Sequence, residues 1–590
     1  MSADQDLARA LRLHEAGDLL GAGTLYREIL AVEPDHVDAL NLLGVVMHAA
    51  GEVDLAIELT GRAAALAPDY AAPCVNLGNA LQAAGRADEA VAQFQRGLEL
   101  EPDNAIAASN LASALTDLGR YDEAAAAAEQ AVALAPELPD AYVNLGNAQL
   151  ALGQADDAVA AQTAALERDP HHAGAWFNLG NAHMDAGDPA AAVAPFRKAA
   201  ELDPRRAAGH YNLGNALQRF DRYADAAEAF GRALALEPGH VDALCNAAGA
   251  WQSLGRTDTA VAMLKDAIGR DILAGGEGAV DLHWNLALAL LQNGDMAEGW
   301  REYEWRWQTP TFADFRRDFT EPEWNGGDLD GRTLFVHAEQ GFGDALQFVR
   351  YVPLAAARGG RVVLECRPEL RSLFAAVEGV AACVPLGTPP GVFDVHVPLM
   401  SLPRVFGTSV ETVPDAVPYI NVPGGAERDA RLAADGFKVG LVWSGSPTRP
   451  DNAKRSCPLA DWAPILAVPG VRFFGLQVGP DRAQLHDLGA GPEIVDLGAG
   501  FADFADTAAA VAALDLVISV DTSVLHLAGA LGRPAFALLS QPTGFLWMND
   551  RADSPWYPTL RLFRQPTPGD WGAPVAAVAG ALAEIAGDGA

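Results

Sequence analysis

The sequence predicts an α-helical solenoid followed by an α/β region of two parallel-sheet lobes, and three observations predict it. Glycine and proline recur at a constant 34-residue interval through the first half of the 590-residue chain. Beyond residue 332, short β-branched and aromatic runs alternate with helical stretches. Half of all residues are apolar, enough to bury sizeable cores.

Gly17, Gly51, Gly85, Gly119, Gly153, Gly187, Asp221 and Gly255 keep one register, and Pro34, Pro68, Pro102, Pro136, Pro170, Pro204 and Pro238 keep the same step. Blocks such as Asn76-Leu77-Gly78, Asn144-Leu145-Gly146, Asn178-Leu179-Gly180 and Asn212-Leu213-Gly214 open a first helix that breaks near the periodic glycine. A second, Ala-rich helix carrying Phe94, Phe196 or Phe230 runs to the proline, which cannot continue a helix and resets the chain. Each unit buries its apolar face only against its neighbours, so several are needed, and eight stand in strict register. Trp284-Asn285-Leu286 and Gly294 restart the pattern after about five extra residues near Gly275-Gly276, which predicts a ninth, irregular unit. This is the period of the tetratricopeptide repeat, whose arrays hold another polypeptide. Asn76, Asn110, Asn144, Asn178, Asn212, Asn246 and Asn285 occupy one position of successive units. A row of amides, each both donor and acceptor, suits peptide backbone as acceptor substrate; equally, each Asn has work to do within its own repeat.

Gly299-Trp300-Arg301-Glu302-Tyr303-Glu304-Trp305-Arg306-Trp307 reads as the closing helix of the array, with aromatics that pack it onto the next region of the chain. The predicted organisation is a repeat domain over 1–308, a Pro/Gly/Asp-rich irregular linker over 309–331, a first lobe over 332–425 and a second over 426–590. Strands are predicted at Thr333–Val336 and Arg361–Glu365 around a helix from Asp344 to Arg358. A second series runs through Lys438–Trp443, Val471–Leu476, Leu516–Val520 and Ala535–Leu539, after the Pro/Gly-rich stretch Pro414 to Gly425. Two Rossmann-like lobes around a cleft are the expected architecture.

A formal charge of −36 argues against nucleic acid or an anionic membrane as partner, since both need a basic footprint. The five cysteines at 74, 245, 366, 383 and 457 have no CxxC spacing and read as reduced thiols. Met1 to Ala10 has no basic flank before an apolar run, and no later stretch resembles a membrane span, so a cytoplasmic location without membrane insertion is expected. No strand-end acidic pair suggests a metal grip, and no cofactor is expected beyond a co-substrate.

Ligands in open parallel sheets sit at the carboxyl ends of strands. The first strand is followed by His337-Ala338-Glu339-Gln340-Gly341-Phe342-Gly343-Asp344, where Gly343 allows close backbone approach. Leu346 stands where a dinucleotide fingerprint wants its third glycine, which argues against NAD. Asp344 is either a helix N-cap or a carboxylate at a cleft mouth able to take a proton from a hydroxyl. Ser444-Gly445-Ser446, then Lys454 and Arg455, suit a phosphate or form a solvated loop. Asp521-Thr522-Ser523 caps a helix whose first amides suit an anion, with His526 about one turn inside, a ligand or a core histidine.

The run from Gly341 to Arg350, the Lys454-Arg455 loop and Asp521-Thr522-Ser523-Val524-Leu525-His526-Leu527-Ala528-Gly529-Ala530-Leu531-Gly532-Arg533-Pro534 resemble the heptosyltransferase-like branch of GT-B glycosyltransferases. Joined to tetratricopeptide repeats, the plan is similar to protein O-GlcNAc transferase and, more closely, to bacterial flagellin glycosyltransferases. The resemblance implies an inverting, metal-independent GT-B enzyme in which Asp344 is the base. It makes Gly343, Ser444, Ser446, Lys454, Arg455, Gln477, Asp521, Thr522, Ser523 and His526 the donor site. The turn before Asp344 departs from the heptosyltransferase form, and His337 on the same loop is the second candidate base. Asp550 to Pro558 is expected either to close one side of the donor pocket or to be a loop packed by Trp556. The implied activity is transfer of a nonulosonic acid such as pseudaminic acid from its CMP-sugar to Ser/Thr of flagellin or another protein acceptor. The alternatives are a UDP-sugar O-GlcNAc-type transferase, a transferase acting on a lipid or polysaccharide, and an inactive repeat scaffold.

Overall fold

The computed structural model describes residues 3–270, 278–423, 429–433, 435–488 and 493–587, so Met1, Gly275-Gly276 and Gly425 lie outside the described residues. The chain forms two compact units, Met1–Pro238 and Gly239–Ala590.

The first unit is seven helix pairs of one pattern, from Ala3–Glu15 with Leu19–Val32 to Ala207–Arg219 with Tyr223–Leu236. The register residue turns each pair: Gly17, Gly51, Gly85, Gly119, Gly153 and Gly187 hold φ between 72° and 81°, where a side chain is strained. Asp221 adopts φ 55° in the same place, and its Oδ1 accepts the Tyr223 hydroxyl at 2.7 Å. The helix glycines serve close packing instead. A Cβ on Gly78, Gly180 or Gly214 would stand 2.5–2.6 Å from the ring of Phe94, Phe196 or Phe230. In one unit Gln162 replaces the aromatic over Gly146, and its Nε2 donates to the Val143 carbonyl at 3.1 Å.

The second unit begins with helices Val241–Ser253, Thr257–Gly269, Ala279–Asn293 and Met296–Glu302. Two parallel sheets come after them. In the first, β1 (Thr333–His337), β2 (Arg361–Cys366), β3 (Val380–Pro385) and β4 (Val395–Pro398) stand in the order β3-β2-β1-β4. In the second, β5 (Phe437–Val442), β6 (Val471–Gly475), β7 (Ile494–Asp496), β8 (Leu516–Val520), β9 (Ala535–Leu539) and β10 (Leu560–Arg564) take the order β10-β9-β8-β5-β6-β7. All ladder pairs are parallel. Chain direction across each sheet therefore reverses beside β1 in the first and between β5 and β8 in the second.

The expected strands are present, while β3, β4, β7 and β10 are additions. The expected helix over Asp344 to Arg358 is instead Phe342–Phe348, a tight turn and Val352–Ala356, with Pro353 in the first turn of the second piece. The linker is irregular in its backbone but lies packed on the first lobe. Arg317 makes a bidentate pair with buried Glu365 at 2.9 and 2.7 Å, and Trp324 and Leu329 are buried.

The closing helix packs as its aromatics predict. Trp300 meets Phe348, Phe545 and Trp556 edge-on at 5.6, 6.3 and 6.4 Å between centroids. One apolar core thus runs from Trp300 and Tyr303 through Tyr351 to Trp547 and Tyr557, and a second lies around Trp443, Trp462 and Trp571. Polar ties take the same path. Gln541 Nε2 donates to the Ser253 carbonyl at 3.0 Å, and Gln292 Nε2 donates to Asn549 Oδ1 at 3.1 Å. Beneath them Arg306, fully buried, grips Glu339 through two hydrogen bonds of 2.9 and 3.1 Å. Cys366 and Cys383, neighbours across β2 and β3, have their Sγ atoms 2.9 Å apart as free thiols. Among the described residues no helix is long and apolar enough to cross a membrane.

Candidate functional site

The carboxyl end of β1 and those of β5 and β8 are the points where strand order reverses, and parallel sheets open a crevice there. The loop after β1 leads into helix Phe342–Phe348, and the turn after β8 leads into helix Ser523–Ala530; these two helices pack together. Gly343 makes the contact possible, because a Cβ there would stand 2.9 Å from His526 Cδ2 and 3.4 Å from Nε2.

Asp344 is next in the chain after that contact. The helix starts at Phe342 with Gly341 as its N-cap, so Asp344 is not the cap itself but the third residue of the helix, whose Oδ2 reaches back to accept the Gly341 N–H at 3.3 Å. Burial pushes its carboxyl up to about 6, against the pull of the Gly341 amide and Arg449, while the charge of Asp521 pushes it further up. Asp344 on the first sheet's loop is thus within electrostatic reach of Arg449 and Asp521 beside the second sheet.

Asp521 is held by Arg455, whose Nη2 reaches its carboxylate at 2.5 Å and its carbonyl at 3.0 Å. Arg455 Nη1 lies 3.9 Å from Asp451, and Arg449 Nε donates to Asp451 at 3.0 Å. Alternating charges thus strap the loop after β5 to the turn after β8. Lys454 is exposed on the short helix Asn452–Arg455 beside this strap. Thr522 has extended backbone, and its hydroxyl pairs with Ser519 Oγ at 2.9 Å instead of capping the helix. Ser523, half-buried, begins the helix.

Other expected donor residues hold the loop. Gln477 is buried; its Oε1 accepts the amides of Trp443 and Ser444 at 3.2 and 3.0 Å, and its Nε2 donates to the carbonyls of Ser444 and Val478. Its amide is fully occupied, so Gln477 shapes the turn rather than meeting a ligand. Ser444, also buried, donates to Asp481 at 2.5 Å, whereas Ser446 is exposed with its hydroxyl on Thr448.

His337 departs from its expected role. It ends β1 and is buried among Phe319, Phe335 and His396, with neither ring nitrogen hydrogen-bonded. Burial, then Arg317, lowers its pKa to about 3, so its ring is neutral core and Asp344 is left as the cleft base candidate. Arg449 carries no signal in the sequence; its Pro-Thr-Arg-Pro setting reads as loop, and only the fold turns it toward Asp344.

The asparagine row also takes a definite form. Asn76, Asn110, Asn178 and Asn212 donate through Nδ2 to Asn41, Asn79, Asn147 and Asn181 of the preceding unit at 2.7–3.0 Å, and Asn144 donates to Ser109. Each amide therefore spends a donor on stacking and keeps its carbonyl for another partner. In the second unit, Asn246 is half-buried and Asn285 turns back to the Asp281 carbonyl in its own helix. Replacing Asn144, Asn178 and Asn212 together by Ala should weaken binding of an acceptor peptide without changing affinity for a sugar nucleotide. Thermal unfolding should fall as well, since each hydrogen bond contributes about 0.5–1.5 kcal/mol. Unaltered peptide binding beside a lowered Tm would make the row purely a device for stacking.

The tetratricopeptide repeat family is matched by residues 7–71, 75–139, 143–207 and 252–303, and a second description of that repeat by 217–272. The chain is similar to Protein FlbA of Caulobacter vibrioides, at 31% identity over 332 residues that take in 51% of this chain and 54% of that protein. It thus spans about half the length of the curated relative it matches. Among solved structures, the Cut9–Hcn1 hetero-tetramer of the APC/C is 21% identical, over 49% of this chain and 56% of that one, with a TM-score of 0.37. YrrB, described as a TPR protein with an unusual peptide-binding site, is 25% identical over 31% of this chain and 95% of its own, with a TM-score of 0.27. MamA is 22% identical over 28% of this chain and 95% of its own, with a TM-score of 0.26. Tetratricopeptide repeats make up the N-terminal half of the chain, ahead of an α/β region of parallel sheets.

Proposed function

We propose that the chain is a protein O-glycosyltransferase of GT-B type that moves a nonulosonic acid such as pseudaminic acid from its CMP-sugar to a Ser or Thr hydroxyl of flagellin. The observation that carries this reading is the packing of the Gly343–Asp344 turn on helix Ser523–Ala530 at the reversal points of two parallel sheets, which brings Asp344 within electrostatic reach of Arg449 and of Asp521, itself paired with Arg455. Sugar transfer of this kind needs one group to take a proton and others to stabilise a departing phosphate.

In the proposed step the acceptor hydroxyl oxygen bonds to the anomeric carbon as the bond from that carbon to the CMP phosphate oxygen breaks. The hydroxyl proton passes to Asp344, and the electron pair of the broken bond leaves on CMP. A carboxylate with a pKa near 6 is ionised at neutral pH yet basic enough to accept that proton. Lys454, Arg449 and the first amides of helix Ser523–Ala530 are the groups for the phosphate, acting as fixed charges and dipoles. The repeats hold the acceptor polypeptide, their unspent Asn carbonyls matching its backbone N–H groups.

The test is incubation of the full chain with purified flagellin and either CMP-pseudaminic acid or UDP-N-acetylglucosamine, and then intact mass of the flagellin. The expected result is a gain of one or more nonulosonate masses with the CMP-sugar. A gain with the UDP-sugar alone would reassign the donor, and no gain with either, joined to no heat of donor binding, would leave a repeat scaffold.

A further inference from the structure

His526 is almost wholly buried, and three neighbours fix its ring. Trp547 stacks on it at 5.2 Å, the Gly343 backbone lies against its Cδ2–Nε2 edge, and Tyr557 Oη sits 3.0 Å from Nδ1. Which nitrogen carries the proton decides whether the edge beside Gly343 donates or accepts. Heavy-atom positions alone do not fix a histidine tautomer, but the neighbours of Tyr557 restrict it.

Tyr557 is fully buried between His526 and the Arg350–Tyr419 pair. Tyr419 gives its one proton to the Leu346 carbonyl at 2.9 Å and receives Arg350 Nη2 at 2.9 Å. Arg350, a pure donor, also binds the carbonyls of Trp556 and Pro414 at 2.6 and 3.0 Å and lies over the Tyr557 ring at 4.7 Å. Among the described residues no carbonyl or carboxylate reaches Tyr557 Oη, so Nδ1, at 3.0 Å, is the best-placed acceptor for its proton, ahead of the Tyr419 hydroxyl. Were Nδ1 protonated, the hydroxyl proton of Tyr557 would have to turn to the one lone pair left on Tyr419 Oη, a contact less well formed than the 3.0 Å bond to Nδ1.

We propose that Tyr557 is a positioning residue that locks His526 as the Nε2–H tautomer, presenting that N–H beside the Gly343–Asp344 turn as a donor to an anionic phosphate of the sugar nucleotide. The tautomer rests on the hydrogen bonds alone; the phosphate rests on the proposed sugar transfer. The arrangement gives His526 the part of a neutral donor rather than a base, leaving proton removal to Asp344. Sequence spacing gives no hint of it, since the two partners are 31 residues apart.

The test is nitrogen NMR of the full chain labelled with ¹⁵N-histidine, the His526 signals being assigned by their loss in His526→Gln. A protonated Nε2 and a bare Nδ1 are expected in the natural protein, and Tyr557→Phe should release the ring into a mixture of both forms. A protonated Nδ1 in the natural protein overturns the proposal, and so does a Tyr557→Phe spectrum identical to it. Should Tyr557→Phe not fold, the natural protein's spectrum decides by itself. For the phosphate, calorimetry with the CMP-sugar should find His526→Asn binding about 10-fold or more weakly than His526→Gln, whose amide N–H stands where Nε2–H does. Equal affinities would remove the donor role. A locked Nε2–H tautomer with no CMP-sugar binding in the natural protein would instead sink the transferase reading and leave the tautomer assignment intact.

Discussion

Asp344→Asn should lower sugar transfer by about 10²–10⁴-fold, the range expected for loss of a general base, while donor affinity stays close to that of the natural protein. Asn keeps the shape of the side chain and can still receive the Gly341 amide, so the helix start survives. What disappears is the ability to take a proton. In the proposed reaction the rate with the natural protein should rise with pH as Asp344 ionises, reaching half its plateau near pH 6, where its carboxyl is set. The same shift has a mark on stability. A carboxyl held at about 6 in the fold against about 3.9 in the unfolded chain binds its proton more tightly when folded, so its contribution to stability is lost as pH rises from about 4 to 6. Asn has no such loss. Calorimetric melting of Asp344→Asn should therefore match the natural protein at pH 4 and exceed it at pH 7.5. Undiminished transfer in this variant would move the base elsewhere; a lower Tm at pH 7.5 would mean that the carboxylate is stabilised by its surroundings rather than strained by them.

Arg306→Met should cost about 3–5 kcal/mol of unfolding free energy, the usual penalty for stranding one member of a buried ion pair. Both partners are sealed from water, and without the guanidinium Glu339 keeps only the Met400 amide at 3.0 Å. Burial already pushes the Glu339 carboxyl up, and with Arg306 gone nothing opposes that push but the amide. Urea denaturation of Arg306→Met and of Arg306→Met with Glu339→Gln separates the causes. The double variant should recover most of the loss, because no charge is left without a partner. A single variant within about 1 kcal/mol of the natural protein would show that water or a rearranged side chain reaches the carboxylate. Glu339 lies five residues before Asp344, so the single variant should also disturb transfer.

The helical half was legible because its information is periodic: one turn residue and one proline per unit mark the helix boundaries, and in three units a Phe over a Gly marks the seam. The main strands were legible as buried apolar runs. Three of the missed strands are short or half-exposed: Val380–Pro385, whose Ala-Ala-Cys lacks β-branched residues, Val395–Pro398 and Ile494–Asp496; Leu560–Arg564 is of ordinary length but carries Arg at two of its five positions. At the site, the turns after β1, β5 and β8 could be read because glycines and caps mark where strands end. The environments of their side chains could not. His337 is neutral core because Phe319 and His396 arrive from other segments, and Gln477 is spent because the turn after β5 folds over it. Arg449 and Tyr557 gain their meaning only from what faces them across the fold.

Trp300 and Arg306 bear on where the chain can be cut. A fragment that starts at 309 would leave a hole beneath Phe348, Phe545 and Trp556 and a stranded carboxylate beside it, and would be expected to clump or be degraded. One that starts near Gly239 keeps these plugs in place. The last helices, repeat-like in sequence, are thus the floor on which the two sheets stand.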